Sequence, residues 1–198
     1  MAPDHQCHRD RPLRPKLAVG VQDCQGVRTA YRRDLRSADR LIDCPKEHIA
    51  MMRLATVADV AAIEAIVQAA YSPYIERIGR KPGPMLEDYH QQVKAGGVHV
   101  LENAGRVQGF IILLDADDAL LLDNLAVAPD AQGLGLGRLL MDFAEQQALA
   151  AGFAAIRLYT NETMAENIRL YTRRGYVETH RAEEHGLHRV YMTKQLQE

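Results

Sequence analysis

The chain has 198 residues, 47% of them hydrophobic, enough for one well-buried core and too few for two ordinary domains. A formal net charge of −2 excludes the electrostatic footprint of a nucleic-acid or anionic-membrane binder, and no apolar stretch approaches the roughly 18–20 residues of a bilayer-crossing helix. The first residues lack the apolar segment of a secretory signal, so a cytoplasmic location is the expectation.

Composition changes near residue 50. Residues 1–50 hold ten Lys/Arg against seven Asp/Glu, four of the eight prolines and all three cysteines, Cys7, Cys24 and Cys44; the remainder holds 14 basic and 19 acidic residues. With poor hydrophobic periodicity, this segment reads as a disordered extension that buries too little apolar surface to offset its ordering entropy. Cys7, His8, Cys24 and Cys44 show neither a Cys-x-x-Cys pair nor a close His pair, so free thiols are expected and no metal site. Seven acidic residues also argue against a transit peptide.

From Met51 the pattern becomes regular. Met52–Leu54 reads as a strand, and Thr56-x-x-Asp59 as the cap of a helix reaching Ala70, with Val60, Ile63, Ile66 and Val67 on its apolar face. Tyr71-Ser72-Pro73 ends it, a loop or short helix covers Tyr74–Pro84, and a second helix is expected from Met85 to Ala95. Val98–Glu102 and Gln108–Leu114 flank Asn103-Ala104-Gly105 as a β-hairpin, and the apolar run Leu120–Val127 makes a third antiparallel strand. Leu136, Leu139, Leu140, Phe143 and Ala144 mark a helix closed by Gly152. Ile156–Thr160 is a strand, Thr163–Arg174 a helix, and Tyr176–His180 with Arg189–Leu196 a final strand pair. The order βααβββαβαββ defines a single α/β domain over residues 51–198.

Between the third strand and its helix lies Gln132-Gly133-Leu134-Gly135-Leu136-Gly137-Arg138. A strand, a glycine-rich turn and a helix N-terminus direct backbone N–H groups and the positive helix end at one point, which suits a phosphate or pyrophosphate. Arg138-Leu139 after the last glycine excludes the Lys-Ser/Thr of a P-loop, and Gly-x-Gly-x-Gly is not the dinucleotide Gly-x-Gly-x-x-Gly. A tight turn without a ligand accounts for the glycines alone.

Leu125–Gly137 as a whole resembles the acetyl-coenzyme A signature of the GNAT acetyltransferase superfamily, and Asn161–Tyr176 resembles its second block at the family's distance. The resemblance covers Met51–Glu198. Met51-Met52-Arg53-Leu54 begins as members of the family begin, so an upstream start choice is one expected origin of residues 1–50. The resemblance implies the GNAT fold, a mixed, mostly antiparallel central sheet that splays between its fourth and fifth strands and is flanked by helices. It also implies acetyl-CoA as cosubstrate, no metal, and attack of an amine on the thioester.

Several roles follow from the resemblance. The backbone of Gln132, Gly133, Leu134, Gly135, Leu136, Gly137 and Arg138 would hold the pyrophosphate, and the edge of Leu125, Ala126 and Val127 would pair with the pantetheine amides. A bulge freeing the N–H of Val127 or a neighbour would polarise the carbonyl. Asn161 and Asn167 would bond the pantetheine arm or cap local turns. Tyr171 would protonate the leaving thiolate, although helical spacing alone reads it as a packed aromatic.

Asp123 alternates with Leu121, Leu125 and Val127 and serves either as the base or as a sheet-edge carboxylate; His99 and Glu102 are weaker candidates. Within the loop Tyr71–Met85, expected on the acceptor side, Tyr74, Arg77 and Arg80 would contact substrate or solvent. The acceptor is expected to be a small-molecule or peptide amine, and a homodimer is compatible with the chain. Two competing functions are an acyl-CoA sensor without turnover and an acetyltransferase acting on a protein lysine or N-terminus.

Overall fold

The computed structural model describes residues 50–196. The expectations for residues 1–49 lie outside this range.

Seven strands form one sheet in the order β1-β2-β3-β4-β5-β7-β6. In chain order the elements are β1 (Met51–Leu54), α1 (Val60–Tyr71), α2 (Tyr89–Ala95), β2 (Val98–Asn103), β3 (Arg106–Asp115), β4 (Leu120–Val127), α3 (Leu136–Ala150), β5 (Ala155–Asn161), α4 (Ala165–Arg173), β6 (Val177–Glu184) and β7 (Leu187–Gln195). Thr56 and Asp59 form a capping box on the 3₁₀ turn Val57–Asp59 that leads into α1, and Asp59 also takes a bidentate pair of 2.8 Å bonds from Arg53, whose Nε reaches Glu102 at 2.9 Å. The second helix starts later than its sequence pattern, at Tyr89, because Asp88 accepts from the Gln91 N–H and defines the cap there. The segment before it holds three short helical turns, Ser72–Tyr74, Ile75–Ile78 and Gly83–Leu86.

The sheet is packed on both faces. Phe110 and Ile112 of β3 point into a layer with Ile63, Val67 and Val93 of α1 and α2, whereas Ile111 and Leu113 join Leu140, Met141 and Ala144 of α3 on the other side. This two-sided burial explains why β3 carries an apolar run rather than an alternation. The hairpin turns on Ala104 and Gly105 at φ 52° and 73°, a pair of positive φ values that matches the twist of the strands. The last hairpin turns likewise on His185 and Gly186, so β6 and β7 extend further than the sequence pattern showed.

Two irregularities shape the sheet centre. Between β3 and β4 the register jumps from Ile112–Asn124 to Leu113–Leu122, which leaves Asp123 outside the ladder. The extra residue shifts the strand's phase: Leu120 and Leu122 pack toward α3, as do Leu125 and Val127, while Ala126 packs toward α1 and α2. Asp123 therefore does not share a regular alternation with Leu125 and Val127, and the break falls at Asp123 rather than at Val127. The second irregularity is the parallel pairing of β4 with β5, which spans only Leu120–Leu122 against Ile156–Leu158. Beyond it the two strands part.

Candidate active site

The turn before α3 is made of backbone. Gly135, at φ 80°, occupies the left-handed region as the residue preceding the helix, and a Cβ placed there would meet no protein atom within 4 Å. A helix leaves its first N–H groups without intrahelical acceptors; here Arg138 N–H and Leu139 N–H fold back on Gly135 O at 3.0 and 3.2 Å, and the turn ahead of them is open. Gly133, Leu134 and Gly135 are exposed, Leu136 is buried, and Gly137 packs over Val127. Gln132 donates to Val127 O at 3.3 Å and ties the turn to the end of β4. The Arg138 guanidinium is 77% exposed and lies 3.6 Å from Asp142, so it flanks the turn rather than entering it.

Where β4 and β5 part, a cleft of about 130 Å³ opens. Leu122–Leu125 and Tyr159–Asn161 form its floor; Met164, Asn167 and Tyr171 come from α4 and its start, Tyr71 from the end of α1, Pro82–Pro84 from the segment between α1 and α2, and Arg189 from β7. Asp123 accepts a 2.7 Å bond from the Tyr159 hydroxyl. Tyr171 is 8% exposed and its ring lies 5.8 Å from that of Tyr176; burial pushes its phenol up to about 12, so it stays protonated at neutral pH.

A chain of polar groups runs behind the floor. Tyr71 donates to Asn124 Oδ1 at 2.6 Å, Asn124 Nδ2 donates to the Tyr89 hydroxyl at 3.1 Å, and Tyr89 donates to Pro84 O at 2.8 Å. Burial and the nearby Tyr171 raise the Tyr71 phenol well above its ordinary value. Asn124, 4% exposed, thereby joins α1, β4 and α2, and Tyr89 carries the chain on to the segment before α2.

The cleft brings together Asp123, Leu125, Asn161, Asn167 and Tyr171 of the sequence candidates. Asn161 Oδ1 accepts from the N–H and hydroxyl of Thr163, which fixes its side chain with the NH₂ end still unused by that turn. Asn167 Nδ2 lies 3.6 Å from Met164 Sδ. Tyr74 and Arg80 are not part of the cleft wall. Tyr74 and Arg77 instead bond Glu166 of α4 at 3.3 and 2.6 Å, and Arg80 reaches toward the β6–β7 turn at Gly186. His99 packs on Phe143 away from the cleft, and Glu102 is held by Arg53.

Asn124, Tyr159 and Arg189 line the cleft without belonging to any motif, and Tyr71 enters the sequence pattern only as the boundary of the Tyr71–Met85 loop. Asn124 alone carried a signal, as a second polar residue within the apolar run of β4.

Residues 62–176 match the profile of the acetyltransferase (GNAT) family, and the chain belongs to that family. Among solved structures, it resembles the ribosomal-protein-S18-alanine N-acetyltransferase of Escherichia coli at 21% identity and TM-score 0.60, covering 74% of this chain and 94% of that one. PaiA N-acetyltransferase from Thermoplasma acidophilum, in complex with coenzyme A, matches at 15% identity and TM-score 0.62 over 74% and 99%. A third similar structure is yncA, a putative acetyltransferase from Salmonella typhimurium with its cofactor acetyl-CoA, at 24% identity and TM-score 0.57 over 75% and 95%. Comparison with proteins of curated function finds no significant match.

Fold and family together make the protein an acyltransferase of the GNAT fold. Among the described residues no helix is long and apolar enough to cross a membrane, and no group of three or more His, Cys, Asp or Glu is arranged to hold a metal.

Proposed function

We propose that the protein transfers an acetyl group from acetyl-CoA to an amine by direct attack on the thioester. The observation that carries this reading is the edge of β4 from Asp123 to Val127, unpaired on its β5 side, which runs from the cleft holding Tyr171 to the strand end tied by Gln132 to the glycine-rich turn. A cosubstrate with amides along its arm and phosphates at its far end fits that line: the open edge pairs with the amides, and the N-terminus of α3 takes the pyrophosphate.

The thioester supplies the activated acetyl group. Asn161 and Asn167 present amides to the arm as it enters the cleft. Asp123, whose own N–H lies outside the β3 ladder, offers a carboxylate oriented by Tyr159 to accept the proton of the attacking amine. The protonated Tyr171 phenol donates to the departing thiolate, a bond that strengthens as charge develops there.

Thiol release from acetyl-CoA against a panel of primary amines, with the acetylated product weighed by mass spectrometry, tests the reading. Saturable turnover with at least one amine is expected, and Asp123→Asn should lower kcat/KM by on the order of 10²–10⁴. Tight coenzyme A binding with no thiol release above hydrolysis for any amine would reject it.

A further inference from the structure

Three ionisable side chains beyond the tyrosines line the cleft: Asp123, Glu87 and Arg189. Glu87 is exposed and accepts a 2.9 Å bond from Gln92, which places it at the mouth. Arg189 is different. It faces Asn161 across the β5–β7 ladder, its side chain is 24% exposed, and its guanidinium lies 4.3 Å over the centre of the Tyr159 ring. Glu184 holds it through Nη1 at 2.9 Å, while the other oxygen of Glu184 accepts from the Tyr191 hydroxyl. A guanidinium carries five N–H donors in a planar fork, and Glu184 engages one end of it. The ring face and Glu184 therefore fix the orientation of Arg189 and leave further donors for the cleft that it lines.

Tyr159 is the element that relates this cation to the chemistry. Its hydroxyl bonds Asp123 Oδ1 at 2.7 Å and its face carries Arg189, so an anionic and a cationic pole sit on one side chain. An ammonium at Asp123 would therefore lie one Tyr159 side chain away from the guanidinium. An acceptor with a second positive charge there would meet the guanidinium, whereas a carboxylate would gain a charge-assisted, bidentate bond. The cleft, of about 130 Å³, suits a compact molecule.

On the basis of the acetyl-transfer reading given above, we infer that the acceptor is of the α-amino-acid class, with Arg189 binding the carboxylate that neighbours the reacting amine. Asp123 and Arg189 then divide the zwitterion between them, and Arg189 sets specificity without taking part in the proton transfers. A peptide N-terminus, in which that carboxylate is an amide, forfeits the Arg189 contact.

Free L-amino acids compared with their carboxamides, together with spermidine and a short peptide, test this directly. Wild type should use its best free amino acid at least about tenfold better than the matching carboxamide, in kcat/KM, as expected for a charge-assisted bond. Arg189→Met should remove that preference by raising KM for the acid about tenfold or more while changing the carboxamide little. Glu184→Gln keeps the cation and should keep the preference, which guards against a merely structural effect of losing the Arg189–Glu184 pair.

Equal use of acid and carboxamide, preference for spermidine or peptide, or an equal loss with both acceptors in Arg189→Met would overturn the inference and leave acetyl transfer standing. Absence of turnover with every amine despite coenzyme A binding would overturn both.

Discussion

Between Gln132 and Arg138 the surface is exposed backbone, whereas the cleft is lined by side chains gathered from α1, β4, β5, α4 and β7. The first region is built from neighbours in sequence: Gly135 turns the chain and α3 follows at once. In the cleft, Tyr71 meets Asn124 across 53 residues and Tyr159 meets Asp123 across 36, so every contact depends on the sheet being assembled first. On the proposed reading, the difference teaches that cosubstrate binding and chemistry rest on separable parts of the fold. The turn should govern affinity for the cosubstrate, and the cleft should govern the chemical step.

After Asp123→Asn, the clearest separation is expected at Tyr171. Tyr171→Phe keeps the ring packed on Tyr176 and removes only the hydroxyl, so kcat should fall by on the order of 10–10³ with coenzyme A affinity little changed. Because the phenol is raised to about 12, it remains the acid form throughout pH 6–10. The pH–rate profiles of wild type and variant should then be parallel over that range, and a basic limb that vanishes in the variant would break the assignment.

Gly135→Glu probes the other region. A side chain there meets open space on the protein side but sits at φ 80°, and its carboxylate would repel phosphate. Calorimetry should show coenzyme A binding weakened at least about tenfold in a folded protein.

A different readout, stability, tests whether the cleft's polar frame is cooperative. Asn124→Leu leaves the Tyr71 hydroxyl without its acceptor and the Tyr89 hydroxyl without its donor, and should cost about 2–4 kcal/mol in denaturant unfolding. Tyr89→Phe, which retains the edge-on packing with Phe110, should cost less. A neutral Asn124→Leu would show that the frame does not hold the cleft.

The smallest change lies outside both regions. Ala104 takes φ 52° in the β2–β3 turn, so Ala104→Gly should stabilise the fold by up to about 1 kcal/mol and leave binding and turnover alone.

The same contrast accounts for what could be read in the residues alone. The order of strands and helices and the place of the turn follow from local signals: apolar periodicity, the Thr56–Asp59 cap, and glycines ahead of α3. Asp123 could be picked out as polar among apolar neighbours, but not as the residue outside the ladder. A two-residue period assumes an unbroken strand, and the bulge arises from pairing with β3.

Tyr159 and Arg189 look like ordinary strand residues until β5 pairs with β7 and places them on the cleft side of the splay. For Tyr74 and Arg80 the sequence offers only their position in the loop. The loop runs beside the cleft, but Glu166 draws Tyr74 to α4 and Arg80 extends toward Gly186.

The division between turn and cleft is tested most directly by single-turnover acetyl transfer at saturating acetyl-CoA, with Tyr171→Phe and Gly135→Glu measured side by side against wild type. The account predicts a rate reduced on the order of 10–10³-fold in Tyr171→Phe and close to wild type in Gly135→Glu once the weaker binding is saturated. An unchanged rate in Tyr171→Phe, or an equally large loss in saturated Gly135→Glu, would contradict it.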